Sequence, residues 1–187
     1  MLQAITTYKA KDRDDWRAWL EKNYDSATEI WLLYDNRPDC PTVSYLDSVE
    51  EAICFGWIDG LQKRVNDTEK AQRFTPRRKR SHWTELNKER ARRLIRLGKM
   101  TDAGQATLPD LDEPFTVPAD ILDALKATPK AWENFQRFPD LYIRVRISYI
   151  EEMRKRPAEF EKRLNNFLKK TVEGKLFGKW NDDGRLG

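Results

Sequence analysis

Histidine, cysteine and long apolar runs are scarce in this sequence. The only histidine is His82, and the two cysteines, Cys40 and Cys54, form neither a CxxC pair nor a cluster with metal-ligand spacing. No apolar run reaches the roughly 18 residues of a membrane span, and the N-terminus lacks the basic and apolar stretches of a secretory signal. We therefore expect no metal, no cofactor, no disulfide, no membrane span and a reducing, cytoplasmic location.

The same scarcity leaves catalysis without a recognised constellation. A hydrolase triad lacks support, because His82 lies inside a basic run, where an unpaired surface imidazole is the ordinary outcome. Cys54 falls near the end of a predicted helix, which favours a small buried role over a nucleophile. Glu50 and Glu51 are interpreted as a solvated helix face. Whether the protein is an enzyme stays open.

Charge is distributed unevenly along the chain. Residues 60–99 hold fourteen Lys or Arg against four Asp or Glu, although the net charge of the whole chain is only +4. The densest part is Arg77-Arg78-Lys79-Arg80. Such a segment raises the local concentration of anions, whereas the plainer interpretation is a solvated charged face.

The first hundred residues predict an α+β region with a small antiparallel sheet and packed helices. Residues 4–10 read as a strand, Asp12 caps a helix, and residues 29–34 are apolar on both alternating faces, as in a strand covered on both sides. Ser44 opens a second helix. We expect Trp31 and Leu33 to be buried.

A β-hairpin and a basic helix follow. Residues 57–65 and 70–75 predict two strands joined by a four-residue turn, and Ser81 predicts the N-cap of a helix over residues 82–97. The chain length of 187 residues suits one domain, or one domain with a helical appendage.

The back half predicts a helical, bundle-like region. Apolar residues recur at helical spacing, with Pro129, Pro139 and Pro157 between helices. We expect an α+β domain over 1–105, a connector over 106–117, a helical region over 118–174 and a tail over 175–187. That tail is loosely ordered in this prediction unless Phe177 and Trp180 dock on the body.

Several short motifs in order resemble one family. They are Ser44-Tyr45, Cys54-Phe55-Gly56-Trp57-Ile58-Asp59-Gly60, Gln72-Arg73-Phe74-Thr75-Pro76-Arg77, Ser81-x-Trp83-x-x-Leu86-Asn87 and Lys130-Ala131-Trp132-Glu133-Asn134-Phe135. Together they resemble the YdeI/OmpD-associated, bacteriocin-protection family over roughly residues 5–172. The resemblance implies a bacterial protein linked to bacteriocin protection and envelope stress, with no catalytic residues to carry over. The stretch Pro109 to Pro114 departs from the family's pattern.

One set of residues around the hairpin forms a candidate ligand site. Because successive side chains of a strand point to opposite faces, Arg73 and Thr75 should lie on one face of the strand and Phe74 on the other. If Phe74 is buried in the core, Arg73 faces water or a ligand. Guanidinium forks suit carboxylate or phosphate, and a helix start at Ser81 would add unpaired N–H groups. The alternative is structural: Asp59 pairs with Arg73 or Lys63, Ser81 only caps and Trp83 only fills the core. The candidate set is Trp57, Asp59, Arg73, Thr75, Arg77, Ser81, Trp83 and Asn87.

Two function classes follow from these features. The first is stress or bacteriocin protection through binding of a small anionic ligand or a protein partner. The alternative is a nucleic-acid-binding protein that uses the basic segment 73–99 with nearby aromatic side chains. Against that alternative, no helix-turn-helix, zinc-finger or RNA-recognition signature occurs, so we expect weak, unspecific nucleic-acid binding.

Overall fold

The computed structural model describes residues 6–79 and 81–186. Arg80 and the predicted strand positions Ala4 and Ile5 therefore lie outside the described residues. The chain divides into two compact units. Unit 1 comprises residues 1–82 and 90–109, and unit 2 comprises residues 83–89 and 110–187.

Helices and strands follow the α+β prediction, which is confirmed. The strands are β1 (Thr7–Tyr8), β2 (Ile30–Asp35), β3 (Trp57–Arg64) and β4 (Glu69–Pro76). The helices are α1 (Arg13–Asn23), α2 (Tyr45–Cys54), α3 (Glu85–Arg96), α4 (Asp102–Gln105), α5 (Ala119–Lys126), α6 (Pro129–Phe135), α7 (Asp140–Glu151) and α8 (Pro157–Val172).

The four strands in the described part of unit 1 form one sheet in the order β1-β2-β4-β3. β4 pairs antiparallel with both β2 and β3, as the hairpin prediction required. β1 instead pairs parallel with β2, so the sheet is mixed rather than wholly antiparallel. The reason is the connection, because α1 carries the chain back to the end of the sheet where β1 began.

Two helix starts of unit 1 are capped as the sequence predicts. The Asp12 carboxylate accepts from the backbone N–H of Asp15 at 2.8 Å, and the Ser44 hydroxyl accepts from the N–H of Asp47 at 3.1 Å. Each bond satisfies a donor that the first helical turn leaves unpaired, which is typically worth about 1 kcal/mol.

One face of the sheet packs against α1 and forms the core of unit 1. Trp16 and Phe74 are fully buried, with ring centroids 5.5 Å apart. Trp16 also donates its indole N–H to the backbone oxygen of Ser48 on α2, at 3.0 Å. Because Ile30 pairs directly opposite Phe74, alternation places Ile30 and Leu32 on this same face.

The opposite face, which we call the Arg73 face, carries Trp31, Leu33, Arg73 and Thr75. The prediction that β2 is covered on both sides is correct for Trp31, which is 6% exposed, and wrong for Leu33, which is only half-buried. Part of the cover on this face is the Lys63 side chain, whose Nζ lies 4.8 Å from the centroid of the Trp31 ring. A flexible, charged side chain covers less area than a helix would.

A buried charge network joins α2 to α1 and α3 within unit 1. Glu50 and Glu51 are 0% and 1% exposed, so their interpretation as a solvated helix face is wrong. Arg13 binds both carboxylates, and Arg17 binds Glu51 at 2.7 Å. Arg93 binds Glu50 at 2.9 Å. The positive charges of these arginines offset the free-energy cost of burying two adjacent carboxylates.

Unit 2 is helical, as predicted for residues 118–172. Its core collects buried side chains of α5 to α8 around Tyr142 and Phe167, both fully buried. Pro129 and Pro157 occupy first turns of helices, where the missing N–H costs nothing. Within the described part of the chain, no helix is long and apolar enough to cross a membrane.

The segment after α8 packs on the core of unit 2 through two aromatic side chains. Phe177 and Trp180 both contact the Tyr142 ring edge-to-face, at centroid distances of 6.3 and 5.6 Å. Leu186 is 3% exposed. These contacts dock residues 177–186 on the helices.

Candidate functional site

The hairpin separates the predicted site residues onto two faces of the sheet. Phe74 is fully buried, and its neighbours Arg73 and Thr75 lie on the Arg73 face. Trp57 and Asp59 lie on the helix-covered face, because Asp59 pairs directly opposite Phe74. Alternation therefore prevents the aromatic and acidic members from sharing one pocket with Arg73.

A cleft of about 530 Å³ opens beside Arg73 and Thr75 in unit 1. The loop between α1 and β2 forms one wall, and the residues after β4 form another. We call it the unit 1 cleft. It is lined by Asp25, Ser26, Ala27, Thr28, Ile58, Arg73, Thr75, Pro76, Arg78 and Ser81. Three of the eight predicted site residues, Arg73, Thr75 and Ser81, are thus brought together.

Arg73 pairs with Glu29 rather than with Asp59. Its Nε and Nη2 atoms both donate to one carboxylate oxygen of Glu29, the Nε contact being 3.0 Å. The two side chains are 39% and 37% exposed, so solvent screens the pair and its net value is about 0–1 kcal/mol. The structural alternative of an Arg73–Asp59 pair is wrong.

Trp57, Asp59 and Arg77 are not among the residues that line the unit 1 cleft. Trp57 is 1% exposed and donates its indole N–H to the backbone oxygen of Tyr24 at 3.1 Å. Asp59 accepts from the Tyr45 hydroxyl at 2.8 Å. Arg77 is buried, and this burial lowers the pKa of its guanidinium to about 10, with the nearby Asp59 charge acting in the opposite direction.

Ser81 does not cap a helix. Its hydroxyl accepts from the backbone N–H of Arg78 at 3.0 Å, which closes a local turn, and α3 begins only at Glu85. Thr84 takes the capping role, because its hydroxyl accepts from the N–H of Asn87 at 3.2 Å. The expectation of free helix N–H groups beside Ser81 is therefore wrong.

Trp83 and Asn87 belong to unit 2, unlike the other six predicted residues. Both are buried, at 8% exposure each. Their spacing in the sequence suggested a place beside the hairpin, whereas the division of the chain falls between His82 and Trp83.

Sequence reasoning missed the loop of the cleft and one of its cations. Ser26 and Thr28 contribute hydroxyls, and Asp25 contributes a carboxylate, from the connection between α1 and β2. Arg78 was assigned to the basic run but not to the site. A usable signal was present, since polar residues directly before a buried strand lie at the sheet's end, where the neighbouring strand β4 also ends.

The basic segment 60–99 is partly neutralised by the protein itself. Arg93 binds Glu50, Lys88 binds Glu85 at 2.9 Å, and Arg77 is buried. His82 is exposed. Cys54 is fully buried, and burial raises the pKa of its thiol to about 12, so a small buried role fits and an activated thiolate does not.

Comparison with known protein families assigns both halves of the chain. A family model described as Domain of unknown function (DUF8412) matches residues 8–107, more than half of the 187 residues. The chain belongs to this family. A second model, described as Bacteriocin-protection, YdeI or OmpD-Associated, matches residues 114–174. No curated protein and no solved structure gave a significant match.

The second match confirms the resemblance to the YdeI/OmpD-associated family. Of the motifs that carried the resemblance, residues 130–135 lie inside the stretch of 114–174. The motifs around the hairpin lie within residues 8–107, which the other model matches. The unit 1 cleft therefore lies in the DUF8412 part of the chain, and the helical region carries the YdeI/OmpD-associated domain.

Proposed function

We propose that the protein binds a small anionic ligand in the unit 1 cleft and contributes in this way to bacteriocin protection and the stress response. The observation that carries the proposal is the presence of Arg73 and Arg78 in one cleft with the hydroxyls of Thr75 and Ser81. Guanidinium forks and hydroxyls are the donors that carboxylate and phosphate oxygens take.

The Arg73 guanidinium is held in place and still able to donate. Glu29 engages Nε and Nη2, which orients the fork, while Nη1 makes no hydrogen bond to any described residue. Because the Arg73–Glu29 pair is half-exposed, an incoming oxyanion competes with a contact worth about 0–1 kcal/mol. The carboxylate thus orients the arginine without blocking it.

The polar lining gives the cleft a way to distinguish ligands. The Ser81 hydroxyl uses a lone pair to accept from Arg78, so its own hydrogen can point at a ligand oxygen. Ser26, Thr28 and Thr75 add three hydroxyls, while Asp25 can accept from a ligand hydroxyl. A hydroxylated small molecule with one acidic group suits this lining, and about 530 Å³ lies within the usual range for such sites.

A site-resolved titration tests the proposal. Phosphate, sulfate and citrate are each added to the full chain, and backbone amide shifts are followed by two-dimensional NMR. We expect saturable shifts at Ser26, Thr75 and Ser81. Arg73→Ala should abolish these shifts, while changing the free energy of unfolding by no more than about 1 kcal/mol.

The matched control is Arg64→Ala, because Arg64 is an exposed hairpin arginine that also pairs with an acidic residue, Asp67. The Arg64→Ala variant should show the same saturable amide shifts as the unmodified chain. Cells that carry Arg73→Ala should survive a bacteriocin less well than cells that carry Arg64→Ala. Saturable shifts that persist in Arg73→Ala contradict the proposal.

A salt series separates this function from nucleic-acid binding. Affinity for DNA or RNA falls steeply with salt because bound cations are released from the phosphate backbone. Filter binding at several salt concentrations should show only weak, unspecific binding. Micromolar, steeply salt-dependent binding that Arg78→Glu abolishes would replace the small-ligand proposal with the nucleic-acid alternative.

A further inference from the structure

Arg146 on α7 of unit 2 lies between two aromatic rings. Its guanidinium carbon is 4.1 Å from the centroid of the Phe177 ring and 4.9 Å from that of the Tyr149 ring. Gly178 also approaches it closely, since a Cβ atom there would lie 2.7 Å from Nη1 of Arg146. The guanidinium is therefore held in one place by its surroundings.

Within the part of the chain that the structure describes, no carboxylate balances this cation. Among residues 6–79 and 81–186, no acidic side chain lies within ion-pair distance of Arg146, and its buried Nε has no hydrogen-bond partner. Burial, together with the like charge of Arg163, lowers the pKa of Arg146. Arg144, two residues earlier on the same helix, instead pairs with Glu85 at 3.0 Å and Glu89 at 3.1 Å.

A second guanidinium shares the Tyr149 ring with Arg146. The guanidinium carbon of Arg163 is 3.6 Å from the ring centroid, and its Nη1 donates to the backbone oxygen of Tyr149 at 2.6 Å. Its nearest acidic atom is a Glu152 oxygen at 3.8 Å, which exceeds hydrogen-bond distance. Two forked cations thus lie on one aromatic ring, each with donors to spare.

A groove of about 370 Å³ connects these groups, and we call it the Arg146 groove. Its lining includes Arg146, Phe177, Arg163, Lys162 and Glu159. Lys162 and Glu159 lie 3.6 Å apart and offset each other, and a Glu152 oxygen lies 3.8 Å from Nη1 of Arg163, so Arg146 is the cation of this groove that has no acidic partner among the described residues.

We propose that the Arg146 groove binds the phosphate group of a phosphomonoester. The anion supplies the charge partner that Arg146 lacks, and its oxygens accept from the terminal nitrogens of the guanidinium. Two guanidinium forks can hold three phosphate oxygens, and the aromatic rings fix the direction of both forks. Arg146, Tyr149 and Arg163 lie within residues 114–174, which the YdeI/OmpD-associated model matches, and Phe177 lies just beyond them. The site does not depend on the unit 1 cleft.

Calorimetric titration of the full chain with inorganic phosphate tests the site. Arg146→Met should weaken phosphate binding by about tenfold or more, as expected for losing one charge-assisted contact. Arg163→Met should weaken it similarly, and Arg146→Lys should retain part of the affinity because it keeps the charge but not the fork. Amide shifts at Phe177 and Gly178 locate the bound phosphate.

The matched control is Arg154→Met. Arg154 also stacks on an aromatic ring, that of Phe160 at 4.2 Å, but it is paired with Asp120 and Glu151. The Arg154→Met variant should bind phosphate with the affinity of the unmodified chain. The Arg73→Ala variant should show unchanged phosphate-induced shifts at the Phe177 and Gly178 amides. This separates failure of the groove from failure of the cleft.

Two further titrations distinguish the sources of the phosphomonoester. Glycerol 3-phosphate represents a soluble ligand, and phosphatidylcholine vesicles with phosphatidic acid represent a lipid headgroup. Arg146-dependent binding of either supports the site and identifies its source. The proposal is overturned if Phe177 and Gly178 do not respond to phosphate in the unmodified chain, or if Arg146→Met, folded by circular dichroism, binds phosphate unchanged.

Discussion

The charge network on α2 in unit 1 and the Arg146 groove in unit 2 each contain a part-buried arginine, but only the arginine of the network is paired with carboxylates. Arg13 contacts Asp47, Glu50 and Glu51, and the two glutamate side chains are each 1% exposed. Arg146 lies between Phe177 and Tyr149, and no carboxylate of the described residues lies within ion-pair distance of it. Burial alone therefore does not tell a structural arginine from a ligand-binding one. What differs between Arg13 and Arg146 is the presence of a charge partner.

The largest effect is expected at Arg13. Arg13→Met removes a partner from two buried carboxylates, although Arg17 still contacts Glu51 and Arg93 still contacts Glu50. Breaking a buried ion pair on one side typically costs about 3–5 kcal/mol, and we expect the lower end of that range. Urea denaturation followed by tryptophan fluorescence measures the loss.

A double-mutant cycle of Arg13→Met with Glu51→Gln tests whether charge causes that loss. Residues in direct contact should show a coupling energy of about 1 kcal/mol or more. Arg64→Met, at an exposed position, should change stability by less than about 0.5 kcal/mol. A loss below about 1 kcal/mol for Arg13→Met would mean that the network is not structural and would remove the contrast with Arg146.

The two regions should also differ in how they tolerate an added methyl group. At Gly104 a Cβ atom would lie 2.2 Å from the backbone oxygen of Cys54, at the end of α2. At Gly178 it would meet the end of a flexible side chain, Nη1 of Arg146, at 2.7 Å, and φ there is +76°. We expect Gly104→Ala to cost about 2–3 kcal/mol through overpacking, and Gly178→Ala about 1 kcal/mol through backbone strain.

Urea denaturation of both alanine variants provides the comparison, with Gly60→Ala as the control, since a Cβ atom there makes an ordinary 3.8 Å contact with Arg73. Gly178→Ala should additionally weaken phosphate binding, because it displaces the Arg146 guanidinium. Equal losses at Gly104 and Gly178 would show that the two surroundings are equally rigid.

A pH series tests the ion pair between Arg144 and Glu85, which is the paired counterpart of Arg146 within unit 2. Burial raises the pKa of Glu85, but hydrogen bonds and charge from Lys88 and Arg144 outweigh it, so the pKa lies below the ordinary value. The resulting stabilisation is present above the unfolded-state pKa of about 4.3 and is lost as pH falls through the folded-state pKa. Glu85→Gln should therefore cost about 1 kcal/mol at pH 7 and less below pH 4.

Denaturation at pH 7 and at pH 3.5 checks the sign. The exposed Glu161→Gln variant controls for the loss of one negative charge. A Glu85→Gln deficit that grows as the pH falls would contradict the ion-pair explanation.

Local signals predicted the framework well. The caps Asp12 and Ser44, the apolar strand β2 and the prolines that begin α6 and α8 each act within a few residues of the chain. The error at Ser81 is also local, because its hydroxyl was equally suited to close a turn with Arg78. Where two local uses of one side chain compete, the sequence does not decide between them.

Long-range partners were the part that sequence patterns missed. Glu50 and Glu51 resemble a solvated face until Arg13 and Arg17, which are more than 30 positions away, are placed beside them. Arg146 gave no signal, since Arg144 and Arg146 alternate within the same helix and differ only in what packs against them. The candidate set found Arg73 by strand alternation but missed Arg78 and the loop around Ser26, which line the same cleft.

The smallest effect on stability is expected at Arg146, and this result decides the comparison. Arg146→Met keeps a long side chain between Phe177 and Tyr149, loses cation–π contacts worth about 0.5–1 kcal/mol each, and gains sulfur–aromatic contacts of similar size. It also relieves the burial of a cation that no carboxylate balances. The free energy of unfolding in phosphate-free buffer should change by less than about 1 kcal/mol.

Arg144→Met, which leaves Glu85 and Glu89 without that partner, should cost more. A loss of more than about 2 kcal/mol at Arg146 in phosphate-free buffer would make its guanidinium a structural group like that of Arg13. A change near zero, with phosphate stabilising the unmodified chain but not the variant, follows if the arginine is kept for a ligand rather than for the fold.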